Sequence, residues 1–266
     1  MVKKLLKHEL IYYFRSFILF LPIVLLVAIM TRVFTLFDSE NVFIQLIRGS
    51  SYLMLFIACF ALIIMSVVVG VVRFYKNMYS AEGYLTFALP VKNSQHIFVK
   101  LAGAFICEAT CWLVVILAVI ISLESDLLKE ISAGINMLLT EMGIKNVGLF
   151  YAEYILVIIV SLISTMLLYY TCITIGQTAK KNRILLAVGS YFIYYAATQV
   201  TVTMMMAVFM IVSLTGAFDG IIQFMENNPA IIMHVGLGLG TIASAGFGAL
   251  CWFITQKIMT KKLNLE

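Results

Sequence analysis

Six long apolar segments constrain this chain more than any other feature of its sequence. They cover residues 17–37, 51–72, 101–123, 154–175, 184–214 and 230–255. A helix needs about 20 apolar residues to cross a hydrocarbon core of roughly 30 Å, and each segment reaches that length. Only 12% of the residues are charged, against about a quarter in soluble domains. The sequence therefore predicts an all-α, polytopic membrane protein, with one transmembrane domain over residues 1–266 and six transmembrane helices.

The positive charges are unevenly distributed among the segments that connect these spans. Fourteen of the 18 lysine and arginine residues fall on one side, and the others, Arg32, Arg48, Lys129 and Lys145, fall on the opposite side. Cytoplasmic loops carry the excess of positive charge in membrane proteins. We therefore expect both termini to be cytoplasmic, because six spans return the chain to its starting side. The net charge of +5 then reflects topology, and no nucleic-acid partner is expected.

Residues 1–16 form a short basic segment in which apolar and charged positions alternate. Its charged residues are Lys3, Lys4, Lys7, Glu9 and Arg15. A helix of this composition can lie in the membrane interface with its lysines toward anionic lipid. We predict an N-terminal amphipathic interface helix in contact with the lipid bilayer; a plain basic flank of the first span is the alternative.

The loop over residues 74–100 is the largest polar feature on the predicted cytoplasmic side, yet it is rich in large apolar side chains. These are Tyr75, Met78, Tyr79, Tyr84, Leu85, Phe87 and Leu89. Exposed clusters of this kind usually mark a partner surface; the alternative is a loop that packs only on its own span ends. A short helix is expected over residues 80–88, with Ser80 as N-cap, Glu82 in its first turn and Pro90 ending it.

The order of residues in this loop carries a resemblance to a known family. Glu82-Gly83 is followed by five mostly apolar residues, then by Leu89-Pro90-Val91, and by Lys100-Leu101 at the start of the next span. This order resembles the intracellular loop of ABC-2 type transporter permeases, although Lys92 and Asn93 stand where that family often has Ser-Arg. The six-span plan and the basic amphipathic N-terminus are similar as well.

The resemblance implies the permease subunit of a bacterial exporter in the plasma membrane. Its loop would dock a separate ATPase through Ser80, Glu82, Gly83, Tyr84, Phe87, Leu89 and Pro90. The permease would pair with a second permease, as a homo- or heterodimer, and with two ATPase copies that bind the ATP, so this chain itself needs no cofactor. The apolar, Met-rich composition favours a hydrophobic or amphipathic substrate, such as an antimicrobial peptide or drug.

Two external segments and the last span complete the predicted layout. Residues 124–150 carry apolar residues at three- and four-residue steps, which predicts an extracellular amphipathic helix on the outer leaflet or over a vestibule between subunits. Residues 215–229 are predicted to form an extracellular hairpin, either re-entrant or on the surface. Small residues recur every four positions in the last span, at Gly236, Gly240, Ser244 and Gly248. Such a stripe lets another helix approach closely, within the subunit or across a dimer.

Catalytic and metal-binding motifs are missing from the sequence. It contains no GxxxxGK[ST] phosphate loop, no GxSxG elbow, and no HExxH or Cys-x-x-Cys pair. We therefore expect no enzymatic activity, no ATP hydrolysis and no metal site in this chain.

Glu108 is the one acid inside a predicted span, and an intramembrane acid is a functional hypothesis by default. Its candidate roles are a proton or cation site, a contact for a cationic substrate, and a structural bond to a hydroxyl. The candidate hydroxyls belong to Ser161, Ser164 and Thr165. Gln199 in the fifth segment, with hydroxyls around it, either lines a path or bonds between helices.

Two other functions are compatible with the sequence. A gradient-driven secondary transporter would use Glu108 and would keep working after ATP depletion at a held gradient. A non-transporting membrane sensor or assembly protein would bind a partner through the same loop without moving a substrate across the membrane.

Overall fold

The computed structural model describes residues 2–37, 41–80, 82–84, 91–179, 181–216 and 218–261. Its helices are α1 (Val2–Phe17), α2 (Phe20–Thr35), α3 (Val42–Tyr79), α4 (Asn93–Ser122), α5 (Ser125–Glu141), α6 (Val147–Gly176), α7 (Arg183–Leu214), α8 (Asp219–Asn227) and α9 (Pro229–Lys261). Residues 82–84 are also helical, and no β-strand occurs in the described ranges. The predicted all-α class is confirmed.

Five helices, α3, α4, α6, α7 and α9, are long and apolar enough to cross a membrane, and α1 with α2 makes a sixth if the bent pair counts as one span. The chain is therefore a multi-pass membrane protein. α2 alone has 16 residues, or about 24 Å at 1.5 Å per residue, so it is too short to cross by itself. The pair is bent by 41° at a turn over residues 18–19. Pro22 explains this break, because it offers no N–H to the carbonyl of Ile18 and its ring clashes with that carbonyl.

The connection between α3 and α4 is shorter than the loop predicted over residues 74–100. α3 continues to Tyr79, and α4 begins at Asn93. Phe74 and Met78 are fully buried, and Tyr79 is 3% exposed, so packing keeps this stretch in the helix. Met78 and Tyr79, which were expected on a partner surface, lie inside the protein.

The two segments that were predicted to be extracellular also differ from their predicted bounds. The helix expected over residues 124–150 ends at Glu141, because Gly143 adopts a φ of +71° and its N–H donates to the carbonyl of Thr140 at 3.0 Å. A glycine in this conformation commonly ends a helix. The predicted hairpin over residues 215–229 contains the short helix α8 between α7 and α9.

The chain divides into two compact units, Met1–Ile135 and Asn136–Glu266, and the division falls within α5. We call them unit 1 and unit 2. In unit 1, α2, α3 and α4 pack against one another, and α1 packs against α4. In unit 2, α6 packs against both α7 and α9.

The two ends of unit 1 are marked by polar contacts. At one end, the hydroxyl of Thr31 in α2 donates to the carbonyl of Ser51 at 3.3 Å. At the same end, Arg48 in α3 pairs with Glu124, just after α4, at 2.9 Å. Arg73, late in α3, lies at the opposite end, so α3 runs antiparallel to α2 and α4. These two ends match the sides assigned from sequence, while the orientation in the membrane stays a prediction.

In unit 2, α6 and α9 run parallel. Glu153 and His234 pair near the beginning of the two helices. Thr171, late in α6, donates its hydroxyl to the carbonyl of Cys251 at 3.0 Å and lies 2.9 Å from the hydroxyl of Thr255. Two parallel spanning helices require one crossing between them, and α7 provides it.

A tight turn connects α6 to α7. A Cβ added at Gly176 would lie 2.6 Å from the Cβ of Ala187 and 2.7 Å from the carbonyl oxygen of Arg183, so only glycine fits there. Asn182 precedes α7 with a φ of 57°, a left-handed conformation that asparagine tolerates better than most residues. The structure describes all 32 residues of α7, and none of them is buried.

Candidate functional site

The only acid of α1, Glu9, faces the interior of unit 1. Glu9, Tyr13 and Phe17 follow one another at four-residue spacing and form the buried face of this helix. Glu9 is only 5% exposed. A buried carboxylate is costly unless charges or hydrogen-bond donors compensate it, so its partners define the site.

The partners of Glu9 come from α3 and α4. Arg73 donates from Nε to Oε2 and from Nη2 to Oε1, both at 3.3 Å. Asn77, one turn further along α3, donates from Nδ2 to Oε1 at 3.3 Å, and Lys100 of α4 donates from Nζ to the same oxygen. Asn77 and Lys100 are as deeply buried as Glu9. We call these four residues the Glu9 cluster.

Arg73 extends the contacts of the Glu9 cluster to two further groups. Its guanidinium carbon lies 3.9 Å from the ring centroid of Tyr12, within the range of a cation–π contact. Its Nη1 lies 3.8 Å from Oε2 of Glu82. Through Arg73, the helical turn after α3 is therefore in contact with the residues that hold α1.

The packing around the Glu9 cluster is tight. A Cβ at Gly103 would lie 3.2 Å from Cε2 of Tyr13 and 3.3 Å from Cβ of Glu9, so glycine lets α1 approach α4 closely. His96 and Ile97, in the first turn of α4, are 2% and 0% exposed. Two acids, Glu9 and Glu82, balance the two cations, and the arrangement is suited to holding helices in register.

The structure describes four of the seven predicted ATPase-coupling residues. Ser80, Glu82, Gly83 and Tyr84 are described, whereas Phe87, Leu89 and Pro90 lie outside the described residues. The carbonyl of Ser80 accepts from the N–H of Gly83 at 2.7 Å, and its hydroxyl donates to the carbonyl of Lys76. Glu82 and Tyr84 are exposed while Gly83 is buried.

The two predicted intramembrane polar residues lie in different surroundings. Glu108 is 5% exposed, and its Oε2 has no hydrogen-bond partner within the described part of the chain. Two of its proposed partners donate elsewhere: Ser164 to the carbonyl of Ser244, and Thr165 to the carbonyl of Ser161. Gln199 is exposed on α7.

The small-residue stripe of α9 divides into two halves. Ser164 of α6 donates to the carbonyl of Ser244 at 2.7 Å, and a Cβ at Gly248 would lie 2.7 Å from the oxygen of Ser164. This half packs within the subunit. At Gly236 and Gly240 an added Cβ would meet no atom of the described chain within 4 Å, so that half leaves its surface open.

Sequence reasoning missed the Glu9 cluster and, in unit 2, the contact between His234 and Glu153. Glu9 was grouped with the exposed lysines, although its four-residue spacing from Tyr13 and Phe17 was a visible signal of burial. In this contact, Nδ1 of His234 lies 2.6 Å from Oε2 of Glu153. A four-residue periodicity gave no hint of it, because the partners lie on α6 and α9.

The Glu9 cluster and the helical turn at residues 82–84 together form the candidate site. Their side chains bring α1, α3 and α4 together at the end of unit 1 that carries the predicted coupling segment. Within the described residues, no group of three or more His, Cys, Asp or Glu side chains is placed to hold a metal ion. Comparison with protein-family models, with curated proteins and with solved structures finds no match to this chain.

Proposed function

We propose that this chain is the permease subunit of an ABC-2 type exporter in the bacterial plasma membrane, driven by a separate ATPase. One observation carries the proposal: Glu82, in the segment predicted to dock the ATPase, is in contact with Arg73, which is bound to Glu9 of α1. A docking segment that drives transport must be connected, through side-chain contacts, to helices that cross the membrane. Here the contacts reach α3 and α4, which are long enough to cross the membrane, and α1, which leads into α2.

The proposed mechanism transmits movement through the Glu9 cluster. A displacement of the segment at residues 82–84 acts on Arg73 at the end of α3. Because Arg73 and Lys100 share the carboxylate of Glu9, α1 and α4 follow α3. α1 is joined to α2 by a bend of 41°, so the whole of unit 1 responds. Closure of an ATPase dimer would thus move unit 1 as a body.

The partners follow from the same proposal. The sequence has no phosphate loop, so ATP hydrolysis takes place in two copies of the ATPase. A second permease, identical or similar, covers α7, whose outward side chains include Gln199, Tyr195 and Thr201. Polar groups on a spanning helix are costly against lipid and suit a bundle interior or a substrate path. A hydrophobic or amphipathic substrate, such as an antimicrobial peptide or drug, fits the methionine-rich surface of the same helix.

Co-purification from the native host tests the proposal. The full chain is extracted gently, and a bound ATPase is identified by mass spectrometry. We expect an ATPase with the unmodified chain and its loss from the double variant Glu82→Lys with Tyr84→Ala. The matched control, Glu130→Lys with Tyr151→Ala, makes the same exchanges at exposed residues on the predicted external side and should keep the ATPase. Absence of any ATPase, or equal loss from both variants, would overturn the proposal.

A gradient-driven secondary transporter is the second candidate, and one observation favours it. Glu108 is buried and its Oε2 lacks a partner in the described chain, as a carboxylate that takes up and releases a proton would require. Uptake or efflux in vesicles with a held proton gradient and no ATP separates the two candidates. Transport that persists without ATP and disappears in Glu108→Gln would favour the secondary transporter.

A further inference from the structure

An apolar cavity of about 190 Å³ opens beside the break between α1 and α2. Its walls include Tyr13, Phe14, Phe17 and Leu21 from the bent pair, and Ile106 and Thr110 from α4. Phe17 is 3% exposed and closes the inner part, whereas Phe14 is 65% exposed and stands at the mouth. Its apolar lining suits hydrocarbon, since apolar cavities of about this size bind small hydrocarbons.

A shallow groove, formed by side chains of α1 alone, continues this cavity along that helix. It is lined by Lys3, Leu6, Lys7, Leu10, Ile11 and Phe14, and it shares Leu10 and Phe14 with the cavity. The ammonium groups of Lys3 and Lys7 lie one helical turn apart on the same face. Both lysines are exposed, so the open end of the combined groove is positively charged.

The Glu9 cluster keeps the acid of α1 away from the lysines of the groove. Glu9 is the only acid of α1, and it is turned inward, where Arg73 and Lys100 bind it. No acid of α1 therefore offsets Lys3 and Lys7 on the exposed face. The groove presents cations at one end and an apolar cavity at the other, which is the pattern complementary to an anionic amphiphile.

The length of the groove matches a membrane lipid. From Lys7 to Phe17 the helix rises about 15 Å at 1.5 Å per residue, close to half of the roughly 30 Å hydrocarbon core. This part of α1 lies alongside α4, since Gly103 allows close contact with Glu9 and Tyr13. We propose that the groove binds one anionic phospholipid, with the phosphate at Lys3 and Lys7 and an acyl chain in the cavity at Phe17 and Thr110. This site is independent of the proposed transport function.

The headgroup half of the proposal is tested by native mass spectrometry of the delipidated full chain. The chain is offered an equimolar mixture of phosphatidylglycerol and phosphatidylcholine with the same acyl chains. We expect the unmodified chain to retain phosphatidylglycerol preferentially, by about fivefold for each lysine that contacts the phosphate. Lys3→Gln with Lys7→Gln should bring the ratio close to one, whereas Lys129→Gln with Lys181→Gln, which removes the same charge from other exposed positions, should leave it unchanged.

The acyl-chain half is tested by filling the cavity. Thr110→Phe places a ring among the lining residues and should lower phosphatidylglycerol binding several-fold while the lysines remain. Thr165→Phe is the matched control, because Thr165 is also exposed and also bonds to the carbonyl four residues earlier. Glycerol phosphate, which has the headgroup charge without acyl chains, should not displace the lipid.

Two results would overturn the proposal. The first is an unchanged lipid ratio in the double lysine variant; loss of a co-purifying ATPase from that variant would then assign Lys3 and Lys7 to a protein partner. The second is lipid binding that Thr110→Phe leaves intact, which would reduce the site to a charged helix face.

Discussion

Within each unit, the helices are held together by a different kind of polar contact. In unit 1, the carboxylate of Glu9 accepts hydrogen bonds from all three donor side chains of the Glu9 cluster, which lie on two other helices. In unit 2, α6 and α9 are joined by hydroxyl groups that donate to backbone carbonyls. Ser164 donates to Ser244 at 2.7 Å, and Thr171 donates to Cys251 at 3.0 Å. Unit 1 concentrates buried charges around one carboxylate, whereas the hydroxyl bonds of unit 2 are spread along a helix pair.

This difference predicts different responses to mutation. Removing one member of a buried charge cluster leaves the other charges uncompensated, so the loss is large at a single position. A hydroxyl on a spanning helix also bonds to its own helix, as Thr171 does to the carbonyl of Leu167 at 2.8 Å. Such bonds between spanning helices contribute about 0.6 kcal/mol on average. The loss of one polar contact should therefore destabilise unit 1 strongly, whereas unit 2 should be strongly destabilised only when several polar contacts are lost.

The largest effect is expected from Glu9→Ala. It removes the buried acid that Arg73 and Lys100 share, which should lower the free energy of unfolding by about 3–5 kcal/mol. Denaturant titration in mixed micelles measures the change. Glu124→Ala is the control, because Glu124 pairs with Arg48 at a partly exposed site and its loss should cost no more than about 1 kcal/mol. Equal effects of the two variants would contradict the central role of the Glu9 cluster.

The next largest effect is expected at the turn between α6 and α7 in unit 2, where steric fit and not charge determines which residue is tolerated. In Gly176→Ala the new Cβ would lie 2.6 Å from Ala187, and relieving such overpacking typically costs about 1–3 kcal/mol. Gly189→Ala is the control, because an added Cβ there meets no atom of the described chain within 4 Å. Because helix propensity favours alanine at both positions, a thermal midpoint of Gly176→Ala that is no lower than that of Gly189→Ala would show that the turn does not restrict this position.

Much of the fold could be predicted because long apolar runs determine where spanning helices form. The helix ends were harder, since tertiary packing decides them. Phe74 and Met78 are compatible with a loop or a helix by sequence, and only their full burial extends α3 to Tyr79. The break before α2 was easier to predict from the sequence, because Pro22 removes a backbone donor wherever a helix would continue through it.

The candidate site could be predicted only in part. The four-residue spacing of Glu9, Tyr13 and Phe17 signals a shared face, so the burial of Glu9 was available from the sequence. Its partners were not, because Arg73 and Lys100 are 64 and 91 residues away along the chain. A single sequence contains no information that pairs charges across such separations.

A smaller effect is expected when one hydroxyl of unit 2 is removed. Thr171→Val keeps the shape of the side chain and loses its bonds to Cys251 and Thr255, which should cost about 0.6–1.7 kcal/mol. Thr201→Val is the control, since Thr201 is exposed and bonds only to the carbonyl of Ala197 among the contacts described for it. If Thr171→Val lowered the free energy of unfolding as much as Glu9→Ala does, the two units would not differ in their response to the loss of a polar contact.

The smallest effect is expected at the second buried acid of unit 1. Glu108 is as buried as Glu9, at 5% exposed for both, but its Oε2 has no partner in the described chain. Replacing an unsatisfied polar group by an apolar one of similar shape is nearly neutral or stabilising, so Glu108→Leu should change the free energy of unfolding by less than about 1 kcal/mol. Glu108→Gln keeps the polarity and separates shape from charge in the same titration.

A loss of unfolding free energy above about 3 kcal/mol in Glu108→Leu would show that Glu108 holds a buried charge partner as Glu9 does. Burial alone would then decide how an acid of this unit contributes to stability. A stable Glu108→Leu variant that has lost transport would instead assign Glu108 to function, because stability and activity would respond separately.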